Sequence, residues 1–139
     1  MHKSRPLLLV EDDQVDARTI KHALDDLNIA ESVVHVTNGE EALEYLRSAV
    51  NKRPCLILLD LNMPKMNGIE FLKEVKNDPL LRRIPIVVLT TSSEDDDILG
   101  TFQYSVAGYM LKPIDYREFV DTIHTITKYW SLSVLPVGV

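Results

Sequence analysis

At 139 residues, 45% of them hydrophobic and 26% charged, the chain has the composition of one globular domain with a full core. Its net charge of −6 argues against a nucleic-acid reader, and the only basic clusters, Lys52-Arg53 and Arg82-Arg83, are too small to track a phosphate backbone. No apolar run approaches the roughly 20 residues that span a bilayer, the stretch Met1 to Pro6 does not read as a signal peptide, and the single Cys55 has no internal disulfide partner.

Leu7-Leu8-Leu9-Val10 reads as a buried strand ending on the acidic run Glu11-Asp12-Asp13. Val15, Ile20, Ala23, Leu24 and Leu27 then recur at helical spacing, with Asp13 as cap and Asn28 beyond the last periodic residue. Val33, Val34 and Val36 form a second strand closed by Asn38-Gly39. Ala42, Leu43, Leu46 and Val50 share one face of a helix predicted over 40–50, and Pro54 marks its exit.

Cys55 to Asp60 is the third strand, an apolar run tipped by one carboxylate, and a turn with Pro64 and Asn67-Gly68 follows. Cys55 itself reads as a small buried core residue, which fits a reducing cytoplasm. Ile69, Phe71, Leu72 and Val75 lie on a third helix ending near Asn77-Asp78-Pro79. Ile84 to Leu89 is the fourth strand, with Pro85 tolerable only near its beginning. Thr90-Thr91-Ser92-Ser93 is a hydroxyl-rich exit loop, and a weaker helix is predicted from Asp95 to about Tyr104. Ala107 to Leu111 is a fifth strand with Lys112-Pro113 at its tip. Asp115 to about Tyr129 closes the domain with Phe119, Val120, Ile123 and Ile126 inward.

Five alternations of strand and helix imply βαβ units and a parallel sheet covered on both faces. With right-handed crossovers, the expected class is α/β, a doubly wound five-stranded sheet of order 2-1-3-4-5. All carboxyl ends of such a sheet share one edge. Glu11, Asp12 and Asp60 therefore meet Thr90 and Lys112 where the winding direction reverses.

Each feature has an ordinary explanation alone: a solvated helix start, a helix cap, a turn. Four strand tips supplying a complementary set is less ordinary. Crowded carboxylates need protons or a cation, and an all-oxygen set suits Mg²⁺. Asp60 can then attack phosphorus to form an acyl phosphate, while Lys112 pairs one phosphoryl oxygen and Thr90 hydrogen-bonds another.

These residues resemble the receiver domain of two-component response regulators over almost the whole chain. Leu8-Leu9-Val10-Glu11-Asp12-Asp13 looks like the family's first acidic motif, and Leu58 to Pro64 with Asn67-Gly68 is similar to its phosphoacceptor motif. Thr90 lies 30 residues after Asp60, and Lys112 22 after Thr90, close to the CheY spacing. The resemblance implies a flavodoxin- and CheY-like fold and a phosphoacceptor switch rather than an enzyme. It implies that Asp60 accepts phosphate from a histidine kinase and that Glu11, Asp12, Asp60 and the backbone carbonyl of Asn62 serve a Mg²⁺ site. It further implies Thr90 and Tyr109 as switch residues, a cis peptide before Pro113, and Asn62 and Ser92 as positions that tune dephosphorylation. Asp13 is acid beyond the family's usual pair.

Leu89-Thr90-Thr91-Ser92, the run Glu94 to Ile98 and the ending from Tyr129-Trp130 to Leu135-Pro136 look like single-domain regulators paired with cyanobacterial phytochromes. That subgroup implies a light-regulated histidine kinase as partner and a homodimer. The expected division is a receiver domain over 1–129 and an apolar extension over 130–139. Trp130, Leu132 and Val134 in that extension need cover, from the domain itself or from a partner or second subunit.

Two other readings stand beside this one. A phosphatase of the haloacid dehalogenase class joins the same groups but needs a second Asp where this chain has Asn62. A pseudo-receiver acting only as a binding module typically loses the acid pair, the Asp or the Lys, all present here.

Overall fold

The structure is a computed structural model and describes residues 5–26 and 32–134. Five parallel strands, β1 (Leu7–Val10), β2 (Val33–Val36), β3 (Leu56–Leu59), β4 (Ile86–Thr90) and β5 (Gly108–Leu111), form one sheet in the order 2-1-3-4-5. Five helices alternate with them: α1 (Gln14–Asp25), α2 (Gly39–Arg47), α3 (Gly68–Lys76), α4 (Asp95–Phe102) and α5 (Tyr116–Leu132). A short 3₁₀ turn at Leu81–Arg83 leads into β4. The expected fold and strand order are the observed ones.

Side chains alternate across a strand, so each central strand feeds two cores. Leu8, Val10, Ile57, Leu59, Ile86 and Val88 pack with Ala42, Leu43, Phe71, Leu72 and Val75 of α2 and α3. Leu7, Leu9, Leu56, Leu58, Val87 and Leu89 pack on the opposite face with Ala17, Ile20, Phe119, Ile123 and Ile126 of α1 and α5. Cys55 is free and buried there, its thiol 3.4 Å from the Pro6 carbonyl.

Local chemistry sets where the helices start. Asp13, Asn38 and Asp115 cap α1, α2 and α5 through their side chains. Asn67 and Glu70 form a reciprocal capping box on α3. The Asn38-Gly39 and Asn67-Gly68 pairs are thus helix caps rather than free turns.

Several expected boundaries moved. Val15 is 67% and Val50 91% exposed, so neither joins a core face. Val15 lies on the solvent side of the first turn of α1, its N–H held by the Asp13 cap, and α2 stops at Arg47, short of Val50. Pro85 precedes β4 rather than sitting in it, and its carbonyl still accepts the Ile57 amide. No described peptide bond is cis, so Lys112-Pro113 is trans. The two isomers differ by only about 0.5–1 kcal/mol before proline, and the motif alone does not choose between them. Helix α5 runs past Tyr129 to Leu132, and Trp130 packs back on its own domain, whereas Leu132 and Val134 are exposed. Leu27, Asn28, Leu135, Pro136 and Val137 lie outside the described residues.

Gly68 ties the fold to the sheet edge. A Cβ there would lie 2.7 Å from Leu61 Cα and 2.8 Å from the Asp60 carbonyl oxygen, both backbone atoms that cannot rotate away. Gly68→Ala is expected to cost about 1–3 kcal/mol in urea unfolding, as overpacking does, and to shift the Asp60 amide resonance. An unchanged unfolding midpoint would contradict this close packing.

Candidate functional site

The sheet register builds the site. Val10 pairs with Leu59, and the ladder continues one residue further: Asp60 N–H donates to the Val10 carbonyl at 3.0 Å, and Glu11 N–H to Val36 at 3.0 Å. On the other side Thr90 pairs with Leu111, and Lys112 N–H donates to the Thr90 carbonyl at 2.8 Å. Glu11, Asp60 and Lys112 are therefore fixed by backbone before any side chain acts.

Glu11, Asp12 and Asp60 each offer a carboxylate oxygen, and these lie within 4.8 Å of one another. Glu11 and Asp60 are buried and Asp12 is exposed. The Lys112 ammonium reaches Glu11 Oε1 at 2.6 Å and Asp60 Oδ2 at 3.7 Å. It also reaches Asp16 Oδ2, on the first turn of α1, at 2.8 Å. The donor set is all oxygen, which suits a hard divalent cation better than a soft one.

Burial pushes the Glu11 carboxyl up to about 8; the Lys112 hydrogen bond opposes that rise and the Asp60 charge adds to it. Burial also pulls the Lys112 pKa down. Its hydrogen bonds to Asp16 and Glu11, with the charges of Glu11 and Asp60, more than reverse this and leave it above its ordinary value.

The remaining expected residues fall into two groups. Asn62 is exposed, its amide 3.5 Å from Asp60 Oδ1. Asp13 Oδ1 is committed to capping α1, accepting from Val15 and Asp16 N–H at 2.9 and 3.0 Å, so Asp13 stands outside the carboxylate group. Thr90 is fully buried, and its hydroxyl oxygen accepts the Ser92 amide at 3.4 Å. Ser92 in turn donates its hydroxyl to Asp97 Oδ2 at 2.6 Å and accepts the Tyr109 hydroxyl on its carbonyl at 2.7 Å. Tyr109 is half-buried against the core.

Sequence reading missed two participants. Asp16 has the look of an ordinary acid in the first turn of a helix, and only the fold places it on Lys112. His35 donates through Nε2 to the Glu11 carbonyl at 2.7 Å, bracing the first acid from β2. A single polar residue inside the valine-rich second strand was the available signal.

The family model of the response regulator receiver domain matches residues 7–124. Rcp1, a response regulator of Synechocystis sp., is 36% identical over 128 residues, covering 89% of this chain and 87% of that protein. A probable methanogenesis regulatory protein of Methanothrix harundinacea, FilR2, is 37% identical over 127 residues, covering 89% and 82%. Among solved structures, the phosphorylated cyanobacterial phytochrome response regulator RcpA superposes with a TM-score of 0.91 at 41% identity, covering 96% of this chain and 99% of that one. The chain belongs to the response regulator receiver domain family. Its function is accordingly that of a response regulator in two-component signalling, similar to regulators of the Rcp1 and RcpA kind. Receiver domains carry an acidic pocket for a divalent metal, and Glu11, Asp12 and Asp60 fit one.

The Glu11 shift has a sign that can be checked. Between the ordinary carboxylate range and about pH 8, the folded protein holds a proton that the unfolded chain has shed. Stability of the metal-free protein should therefore fall as pH rises from about 5 to 8, and the fall should be shallower in Glu11→Gln. Lys112 stays charged throughout that window and adds no slope. Urea unfolding at several pH values is the measurement, and equal slopes in the two proteins would refute the assignment.

Proposed function

We propose that Asp60 accepts a phosphoryl group from a phosphohistidine of a histidine kinase, in a Mg²⁺-dependent reaction, and that the result is signalled by protein–protein contact. One observation carries this: three carboxylates of two strand tips share a pocket with a lysine whose ammonium lies 3.7 Å from Asp60 Oδ2. An Asp60 carboxylate oxygen attacks phosphorus, the P–N bond breaks, and its electron pair returns to the imidazole nitrogen. The product is an acyl phosphate on Asp60.

Glu11, Asp12, Asp60 and the Asn62 carbonyl would hold Mg²⁺, which when bound offsets negative charge on the transferring group. Lys112 supplies a second positive charge to one phosphoryl oxygen. Thr90 supplies a hydroxyl to another and, with Tyr109, carries the change outward as a shift between two populations. Asn62 and Ser92, at the rim, set how readily water reaches the acyl phosphate. Asn62 stands where the haloacid dehalogenase class needs its second Asp as general acid, which supports a switch rather than an enzyme of that class.

The likeness to Rcp1 and RcpA supports a phytochrome-class, light-regulated kinase as the partner. Exposed Tyr129, Leu132 and Val134 at the end of α5 support a homodimer formed through that end, with the chain beyond residue 129 contributing to it. No helix of the described residues is long and apolar enough to cross a membrane, and with the lone reduced cysteine this supports a cytoplasmic setting.

Asp60→Asn should abolish acid-labile labelling by a small radioactive phosphodonor while circular dichroism stays unchanged. Persistent labelling would sink the assignment. In sedimentation velocity, the wild-type protein should run as a dimer, and Leu132→Asp should shift it toward monomer. A dimer indifferent to that substitution places the interface elsewhere.

A further inference from the structure

Lys112 is held by more acid than the transfer chemistry requires. Of its three carboxylate neighbours, Glu11 at 2.6 Å and Asp16 at 2.8 Å are close, and the proposed acceptor Asp60 at 3.7 Å is the farthest. Asp16 does not belong to the carboxylate group that could hold a cation. It comes from α1, and its backbone is fixed there because its own N–H donates to the Asp13 cap at 3.0 Å. The Lys112 side chain is 6% exposed and that of Asp16 27%, so the pair is shielded on the lysine side and open on the other.

An ammonium has three donors and a flexible stem, and it moves toward the strongest anion within reach. Before phosphorylation, Glu11 and Asp16 take its short contacts. An acyl phosphate on Asp60 carries about −1.5 to −2 charges where the free carboxylate carried −1. Lys112 must then loosen one existing contact to serve the new anion. Asp16 is the one that can let go, because water can solvate it and cannot solvate buried Glu11.

We propose that Asp16 is a positioning residue that competes with the phosphorylated Asp60 for Lys112, and so sets how strongly the site holds its phosphoryl group. The inference rests on Asp60 as the acceptor. The same competition links the first turn of α1 to the phosphorylation state, since the ion pair joins that turn to the exit of β5.

The test uses beryllofluoride with Mg²⁺ as the phosphoryl mimic, titrated calorimetrically into the full chain. Asp16→Asn should bind it about fivefold more tightly, the scale of one partly exposed charge-assisted contact. Label on Asp60 should be lost more slowly by a similar factor. Asp16→Glu should restore values near wild type. In a Lys112→Met background, Asp16→Asn should have no effect, which separates release of Lys112 from a general loss of negative charge. The amine ¹⁵N resonance of Lys112 should also shift in Asp16→Asn, a change that a purely structural role of Asp16 would not produce.

Unchanged or weaker binding in Asp16→Asn, equal tightening in the Lys112→Met background, or an unmoved Lys112 resonance would each overturn the proposal. If Lys112→Met binds too weakly to titrate, the resonance decides alone. Failure of the wild-type protein to bind the mimic would instead refute Asp60 as acceptor, so the two failures are distinct.

Discussion

The site depends on a backbone constraint: parallel pairing persists one residue beyond the strands. Hydrogen bonds from Asp60 to Val10 and from Lys112 to Thr90 continue the ladder past the last apolar residues. Polar side chains are thereby carried to the rim on a main chain as rigid as the core. The core supplies the stiffness, since Leu7–Val10 and Leu56–Leu59 are buried along their whole length. The two faces share the duty, because alternate residues of one strand belong to opposite cores. A loosened helix on either side would reach the carboxylates through the sheet.

The second constraint is charge. Two buried carboxylates at the end of a sheet repel unless something positive joins them. In the structure that something is Lys112, held between Glu11, Asp16 and Asp60. The raised pKa of Glu11 records how incompletely one ammonium offsets the burial of the carboxyl. A divalent cation held by the Glu11, Asp12 and Asp60 oxygens would complete that balance, and its charge would favour the ionised carboxylates. The same imbalance makes the pocket receptive: what it lacks is positive charge, and the phosphoryl chemistry proposed for Asp60 calls for it as well.

Most of this was legible in the chain because strand ends are legible. An apolar run that stops at a carboxylate, as at Val10-Glu11 and Leu59-Asp60, announces both a strand and a rim residue. The parallel order then assembles residues far apart in sequence without further information. Asp16 was illegible for the opposite reason. It sits within a helix turn, where an acid normally answers only to the helix dipole, and its partner is 96 residues away. Val15 and Val50 misled because apolar spacing says which residues could share a face, not where a helix begins or ends. In α2 the backbone turns extended at Ser48, which ends the helix before Val50. Pro113 shows a further limit, since an isomer separated by so small a free energy is settled by its surroundings rather than by the dipeptide.

The other half of the site looks away from the carboxylates. Thr90, Ser92 and Tyr109 form a chain of hydrogen bonds, from the buried Thr90 hydroxyl through the Ser92 backbone to the Tyr109 hydroxyl, with a branch from Ser92 to Asp97. That branch lands on α4, the helix with the least holding it. Glu94 provides no side-chain cap, Thr101 is the one buried residue of α4, and Leu99 and Phe102 stay exposed. An element with so few buried contacts sits at the low end of local stability and is the one a small displacement can move. The contact from Ser92 to Thr90 is long at 3.4 Å, whereas Ser92 is bound closely to Asp97 of α4 at 2.6 Å. Under the phosphorylation proposed for Asp60, drawing Thr90 to the new anion would free Ser92 from the rim, and α4, tied to Ser92 by that shorter bond, would be released with it while the central sheet stays as it is.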